Sequence, residues 1–144
     1  MADELKGRVT GIGGIFIKSD EPENLKKWYV ENLGLKENPY GSLFEFRSPG
    51  DPIHRKYLQW STMPTSSNYF APSEASFMVN YRVENIEALL DSLVKAGAEI
   101  IGKVESYEYG KFAHVMDPDG NKIELWEPID EVFDEANPTD STTF

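Results

Sequence analysis

Glu124 sits in the run Lys122-Ile123-Glu124-Leu125-Trp126, which reads as a strand. A carboxylate between Ile123 and Leu125 is costly to bury unpaired, and Lys18, Arg82, Lys122 and His114 are the side chains able to partner it. His114 offers more than a countercharge. It lies three residues before Asp117, on the strand expected to pair with that of Glu124. Facing inward, the two would form an acid–base pair suited to proton transfer, so both are the candidate catalytic residues. Facing outward, His114 would pack under a helix or stand at the surface. Parity across a turn of unsettled length leaves both orientations open. The other histidine, His54, falls in Asp51-Pro52-Ile53-His54-Arg55 and is expected in an exposed loop. Cysteine is absent, which excludes disulfides, thiolate catalysis, iron–sulfur clusters and zinc–cysteine sites.

A second set of residues points to binding. Phe77 to Val83 alternates, with Phe77, Val79, Tyr81 and Val83 on one face and Met78, Asn80 and Arg82 on the other. Asn80, polar and midway along an apolar strand, needs a partner or a wet cavity. Phe16 and Lys18, beside Gly14, take the corresponding face of the first strand. The aromatic residues Tyr57, Trp60, Tyr107, Tyr109 and Trp126 are candidate walls. Aromatic walls with few polar groups suit a planar organic molecule. The candidate ligand-binding residues from the strands are therefore Phe16, Lys18, Met78, Asn80 and Arg82. Trp60, Tyr107, Tyr109 and Trp126 join them as aromatic walls.

The elements that must position these groups occur twice. Ile15-Phe16-Ile17 is strand-like, and Asp20 with Glu23 has capping-box spacing, with Pro22 in the first turn. Leu25, Trp28, Tyr29 and Leu33 share one helical face, assigned to packing, and Gly34 stops the helix. Strands are then expected over Leu35–Tyr40, Leu43–Arg47 and Tyr57–Trp60, separated by Gly41-Ser42 and by Ser48-Pro49-Gly50-Asp51-Pro52. The second half repeats this order. Its strand Phe77–Val83 leads to Asn85 as N-cap, a face of Ile86, Leu89, Leu90, Leu93 and Val94, and a stop at Gly97. Strands follow at Glu99–Val104 or a little beyond, Phe112–Met116 and Lys122–Trp126. The expected class is α+β, with two βαβββ modules (8–62 and 75–128) joined by a linker (63–74). Each has its helix on one sheet face, and the bare faces curl into an incomplete barrel around a cleft. Residues 1–128 then form one domain and 129–144 an acidic tail.

Composition narrows the partners. With 144 residues, 40% hydrophobic and a net charge of −11, the chain repels phosphate backbones, so nucleic acid is not an expected partner. No apolar run spans a membrane and no leader segment opens the chain, so a cytoplasmic location is expected. From Glu127 onward there are six acids and no Lys or Arg. That stretch reads as a solvated end, with an interaction arm as the alternative, while Val132 and Phe133 are able to pin its first turn to the body.

The segment Asp117-Pro118-Asp119-Gly120-Asn121-Lys122-Ile123-Glu124-Leu125 resembles the closing hairpin of the vicinal oxygen chelate superfamily, which includes glyoxalase I, extradiol dioxygenases and bleomycin- and fosfomycin-resistance proteins. Trp28-Tyr29 with Leu33-Gly34-Leu35 resembles the helix end of its first module, and Tyr81-Arg82-Val83-Glu84-Asn85-Ile86 the opening of its second. The resemblance runs from about Gly11 to Pro128. In the family's metalloenzymes four strand positions supply His, Gln or Glu to a divalent ion that chelates adjacent substrate oxygens. Here the resemblance puts those positions on Gly14 or Gly13, on Leu58 or Gln59, on Met78, and on Glu124. No metal set is therefore assigned; a divalent ion through Glu124 is the alternative. The resemblance also implies a homodimer. Three functions stay open: a binder of small organic molecules with a degenerate metal site, a glyoxalase- or dioxygenase-type enzyme (lyase/isomerase or oxidoreductase) using Glu124 with or without a metal, and a protein-interaction module.

Overall fold

The first strand, β1 (Arg8–Ser19), runs into α1 (Pro22–Leu33) and then into the hairpin of β2 (Ser42–Ser48) and β3 (Asp51–Pro64). The second unit contains β4 (Phe77–Glu84), α2 (Ile86–Lys95), β5 (Glu99–Tyr107), β6 (Gly110–Met116) and β7 (Lys122–Pro128), followed by the short helix α3 (Glu131–Ala136). This computed structural model describes residues 6–136. The strands form one mixed sheet in the order β2-β3-β1-β4-β7-β6-β5. The two units meet where β1 and β4 run antiparallel, while β1/β3 and β4/β7 are parallel. Edge strands β2 and β5 do not pair, so the sheet curls without closing.

Alternation separates the faces. Val83, Ala113, Val115 and Leu125 are buried with Ile86 of α2, and Tyr81, Leu89, Leu93 and Ile123 pack around them. Burial of these apolar side chains holds the second unit together. In the first unit Tyr29 of α1 lies on Trp60 of β3, ring centroids 4.6 Å apart. Residues of opposite parity, among them Asn80 and Glu124, turn to the face the helices leave bare.

Local details depart from the sequence reading for physical reasons. Leu35–Tyr40 forms no strand. Asn38 and Gly41 exchange backbone hydrogen bonds around Pro39, and the Asn38 side chain accepts from the Tyr40 N–H, which folds the segment into a turn. The strand expected at Tyr57–Trp60 extends over Asp51–Pro64, because Ser48 already pairs with Asp51 across Pro49-Gly50. His54 is therefore on a strand, yet exposed, with Nδ1 2.8 Å from Asp51 Oδ1. Trp28 and Leu33 are exposed and the Lys26 side chain is buried in their place, so the packed face of α1 is rotated from the expected one. Asn85 is the N-cap of α2 as expected, but its side chain makes no capping hydrogen bond, and α1 is capped at Glu21, not at Asp20. Asp20 accepts from Thr65 Oγ1 at 2.6 Å, and Asn85 (φ 53°) donates its amide to the Lys6 carbonyl. The first free N–H of α2, on Ile86, is taken instead by the Glu127 carboxylate at 2.8 Å.

The start of the acidic stretch is docked on the body. Asp130 Oδ1 and Oδ2 accept from Arg82 at 2.9 and 2.5 Å. Asp134 accepts from the Tyr57 hydroxyl at 2.7 Å and is 3.1 Å from Arg55 Nε. Phe133 lies between them against Tyr57 and Trp126. Its expected pinning role matches this placement; residues 137–144 of the tail lie outside the described residues.

Candidate functional site

The bare face of the sheet encloses a cleft of about 590 Å³. Glu124 lies in its wall, 2% exposed. In the registers of the sheet Glu124 stands opposite Asn80 on β4 and opposite His114 on β6, and directly paired residues share a face. The orientation left open by the sequence is thus fixed: His114 points inward, Nε2 2.8 Å from Glu124 Oε2. Asn80 Nδ2 donates to Oε1 at 2.7 Å. The Tyr69 hydroxyl donates to Oε2 as well. Three side chains therefore hold one buried carboxylate, the condition under which its burial is tolerable.

Tyr69 was not among the sequence candidates. It belongs to the segment between β3 and β4, where no periodicity marks an inward-facing side chain. The available signal was the pair Tyr69-Phe70 inside an otherwise polar linker. Phe70 is fully buried and anchors the segment, which lets Tyr69 reach Glu124 while packing edge-on to His114 at 5.6 Å. Burial, together with the neighbouring charge of Glu124 and the hydrogen bond to it, pushes the Tyr69 hydroxyl well above the usual phenol range. Burial pulls the Lys122 ammonium down, with Glu124 opposing; its Nζ donates to the Tyr69 carbonyl at 2.8 Å.

The remaining walls are aromatic. Phe112 and Trp126 stack at 5.8 Å, and the indole N–H of Trp126 donates to the Tyr109 carbonyl at 3.0 Å. Phe16, Tyr40 and Phe133 complete the lining with Gln59 and Ser61. Of the predicted binding residues the cleft gathers Phe16, Asn80, Tyr109 and Trp126. Tyr107 stacks on Tyr109 at 5.3 Å and lines a smaller adjoining pocket with Glu105 and His114.

The other predicted binding residues are placed elsewhere. Trp60 has the opposite parity from Gln59 and Ser61, and packs on Tyr29 under α1. Met78 is buried on the same face as Asn80 but outside the lining. Lys18 has its ammonium 5.0 Å from the Phe70 ring. Arg82, 3% exposed, is committed to Asp130 and the Tyr57 carbonyl.

Among the described residues no three His, Cys, Asp or Glu side chains converge. Both Glu124 oxygens accept hydrogen bonds, and the Gln59 amide N–H₂ is committed to the Trp60 and Ser42 carbonyls and Ser61. Gly13, Gly14 and Met78 offer a hard or borderline cation nothing. Gly13 is also full in another sense: a Cβ there would lie 2.4 Å from Asn80 Oδ1 and 2.8 Å from Trp126.

Solved structures share this architecture. An NAD-dependent benzaldehyde dehydrogenase from Legionella pneumophila superposes with a TM-score of 0.52 at 12% identity, over 81% of this chain and 98% of that one. Methylmalonyl-CoA epimerase from Mycobacterium tuberculosis gives 0.50 at 20% identity, over 87% and 92%. A glyoxalase/bleomycin resistance protein/dioxygenase superfamily member from Vibrio splendidus 12B01 gives 0.50 at 16%, over 83% and 99%. At these identities the likeness is one of fold. No curated protein matches the chain in sequence. The family model described as Glyoxalase/Bleomycin resistance protein/Dioxygenase superfamily matches residues 11–125. A match of that length, over a sheet built from two related units, makes this chain a member of that superfamily.

Proposed function

We propose that the cleft binds a planar organic molecule and does so without a tightly held metal ion. The observation that carries this reading is the state of Glu124. Glu124, which with Gln59 is one of two family-type ligands in the cleft, has both oxygens engaged by Tyr69, Asn80 and His114, inside walls of stacked aromatic rings. Such a carboxylate is a fixed acceptor at the edge of an apolar slot, an arrangement that orients a flat ligand. The test is a thermal-shift screen of planar aromatics with elemental analysis of the purified protein. Binders weakened by Asn80→Ala or Glu124→Ala, and substoichiometric Mn, Fe, Ni and Zn, are expected. Insensitivity to both substitutions, or one metal per chain lost in Glu124→Ala, overturns the reading.

One contact favours a second reading. His114 and Glu124 at 2.8 Å form a buried proton-transfer pair beside the ligand space, which suits a lyase or isomerase working without a metal. Turnover of a hemithioacetal or related α-hydroxycarbonyl substrate, abolished in Glu124→Gln, would establish it. The uncovered edges of β2 and β5 support a homodimer, and a cytoplasmic location stays part of the proposal. Sedimentation and fractionation check these. Among the described residues no helix is long and apolar enough to cross a membrane.

A further inference from the structure

We infer that the ligand of this cleft is an aromatic cation carrying N–H donors; this deepens the proposed binding function and rests on it. The polar lining has one electrical character. Glu108 and Glu124 bring carboxylates to the cleft, and among the described residues no Lys or Arg lines it. Of the nearby cations, Arg82 is paired with Asp130, while Lys122 on the Tyr69 carbonyl and Lys18 against the Phe70 ring stand outside the lining. The adjoining pocket of about 190 Å³ shares Tyr69, Tyr109 and Phe112 with the cleft and adds a third carboxylate, Glu105. An anionic ligand would meet three carboxylates there and, among the described residues, no Lys or Arg in either lining.

Hydrogen-bond polarity points the same way. Asn80 is 2% exposed and lines the cleft, yet its Oδ1 accepts nothing. That atom lies beside Gly13, in space a side chain would otherwise take. Its Nδ2 is fixed by Glu124, so the amide cannot turn to offer a donor. The Gln59 amide N–H₂ is likewise committed to protein carbonyls and Ser61, leaving its oxygen for a ligand. The amides of the cleft thus present acceptors, while the hydroxyls that line it (Tyr40, Ser61 and Tyr109) are able to accept as well as donate. Electron-rich ring faces complete the match, because a cation over Trp or Tyr is stabilised by the ring quadrupole.

Three probes of similar shape test this: proflavine (cationic), 9-anthracenemethanol (neutral) and 9-anthracenecarboxylate (anionic), followed by tryptophan fluorescence and calorimetry. Proflavine is expected to bind roughly tenfold or more tighter than the carboxylate, and to weaken as salt rises. Glu108→Gln should reduce proflavine affinity several-fold and leave the neutral probe unchanged. Glu31→Gln, on an exposed part of α1, should change neither. If the neutral or anionic probe binds as tightly as proflavine, or Glu31→Gln matches Glu108→Gln, the inference fails while the binding function stands. If no probe binds, both fall.

Discussion

Arg82 and Asp130 are joined by two hydrogen bonds, of 2.9 and 2.5 Å. The guanidinium also donates to the Tyr57 carbonyl and lies 5.2 Å from the Trp126 ring. A strand residue of the second unit thereby ties the chain beyond β7 to β3 of the first. Breaking a buried pair leaves one charge without compensation, whereas replacing both partners does not. Asp130→Leu or Arg82→Met alone should each cost about 3 kcal/mol, and the double replacement Arg82→Met/Asp130→Leu distinctly less. Urea unfolding of the double-mutant cycle measures this, and additive losses would contradict it.

Removing one donor from the carboxylate gives a second expectation. Tyr69→Phe keeps the ring against Phe16 and His114 but deletes its hydrogen bond to Glu124. The loss should be about 1–2 kcal/mol in urea unfolding at neutral pH. Equal stability of the two proteins would mean that Asn80 and His114 suffice.

Alkaline pH should expose the same residue. The Tyr69 phenol has its value raised above the ordinary 10.0 in the folded chain. Below that pH it is neutral in both states and its stabilisation is complete. As pH climbs past 10.0 toward the folded value, the unfolded chain gives up a proton that the folded chain keeps, so stability falls. Tyr57, raised by burial and by its bond to Asp134, adds in the same direction. The urea midpoint should drop between about pH 9 and about pH 11, and drop less in Tyr69→Phe. Phenolate absorbance should show Tyr57 and Tyr69 ionising only as the protein unfolds.

The helix face offers a control on packing alone. Leu125 is 2% exposed in the cluster with Val83 and Ile86, next to Glu124 but on the opposite side of β7. Leu125→Ala should cost about 2–5 kcal/mol while leaving ligand affinity unchanged under conditions where the protein stays folded. A change in affinity at constant fold would show that the two faces of β7 are coupled.

What the sequence made legible follows the range of the forces involved. The β6–β7 hairpin was readable because its turn chemistry is local: Asp117 Oδ1 accepts from the Asp119 and Asn121 N–H groups, with Gly120 at φ 83°. The parity of Met78, Asn80 and Arg82 was readable because strand alternation is strict. The partners of Glu124 were only half readable. His114 shares its hairpin, but Lys122, also expected as a partner, bonds to the Tyr69 carbonyl instead, and Tyr69 arrives from an irregular segment 55 residues away. Asn80 was recognised as needing a partner, yet its pairing with Glu124 depends on the parallel β4/β7 register, which links strands distant in sequence. Phe133 was recognised as an anchor, but its place in the cleft wall depends on the Arg82 and Arg55 contacts. At Leu35–Tyr40 apolar and charged residues suggested a strand; the Asn38-Pro39 turn overrode it.

Gly13 gives the site a direction in evolutionary time. Should this cleft descend from one that held an ion, a side chain restored at the missing position meets neighbours that must move. A side chain at position 13 meets Asn80 Oδ1, the Trp126 ring and Arg82 Cγ within 2.9 Å. At position 14 it meets Phe16, Asn80 and the Gln59 carbonyl within 3.2 Å. Asn80 would have to shrink first, and that would release Glu124 from one of its holders before any imidazole was in place. The return path crosses a less stable intermediate, which works as a ratchet against reversion.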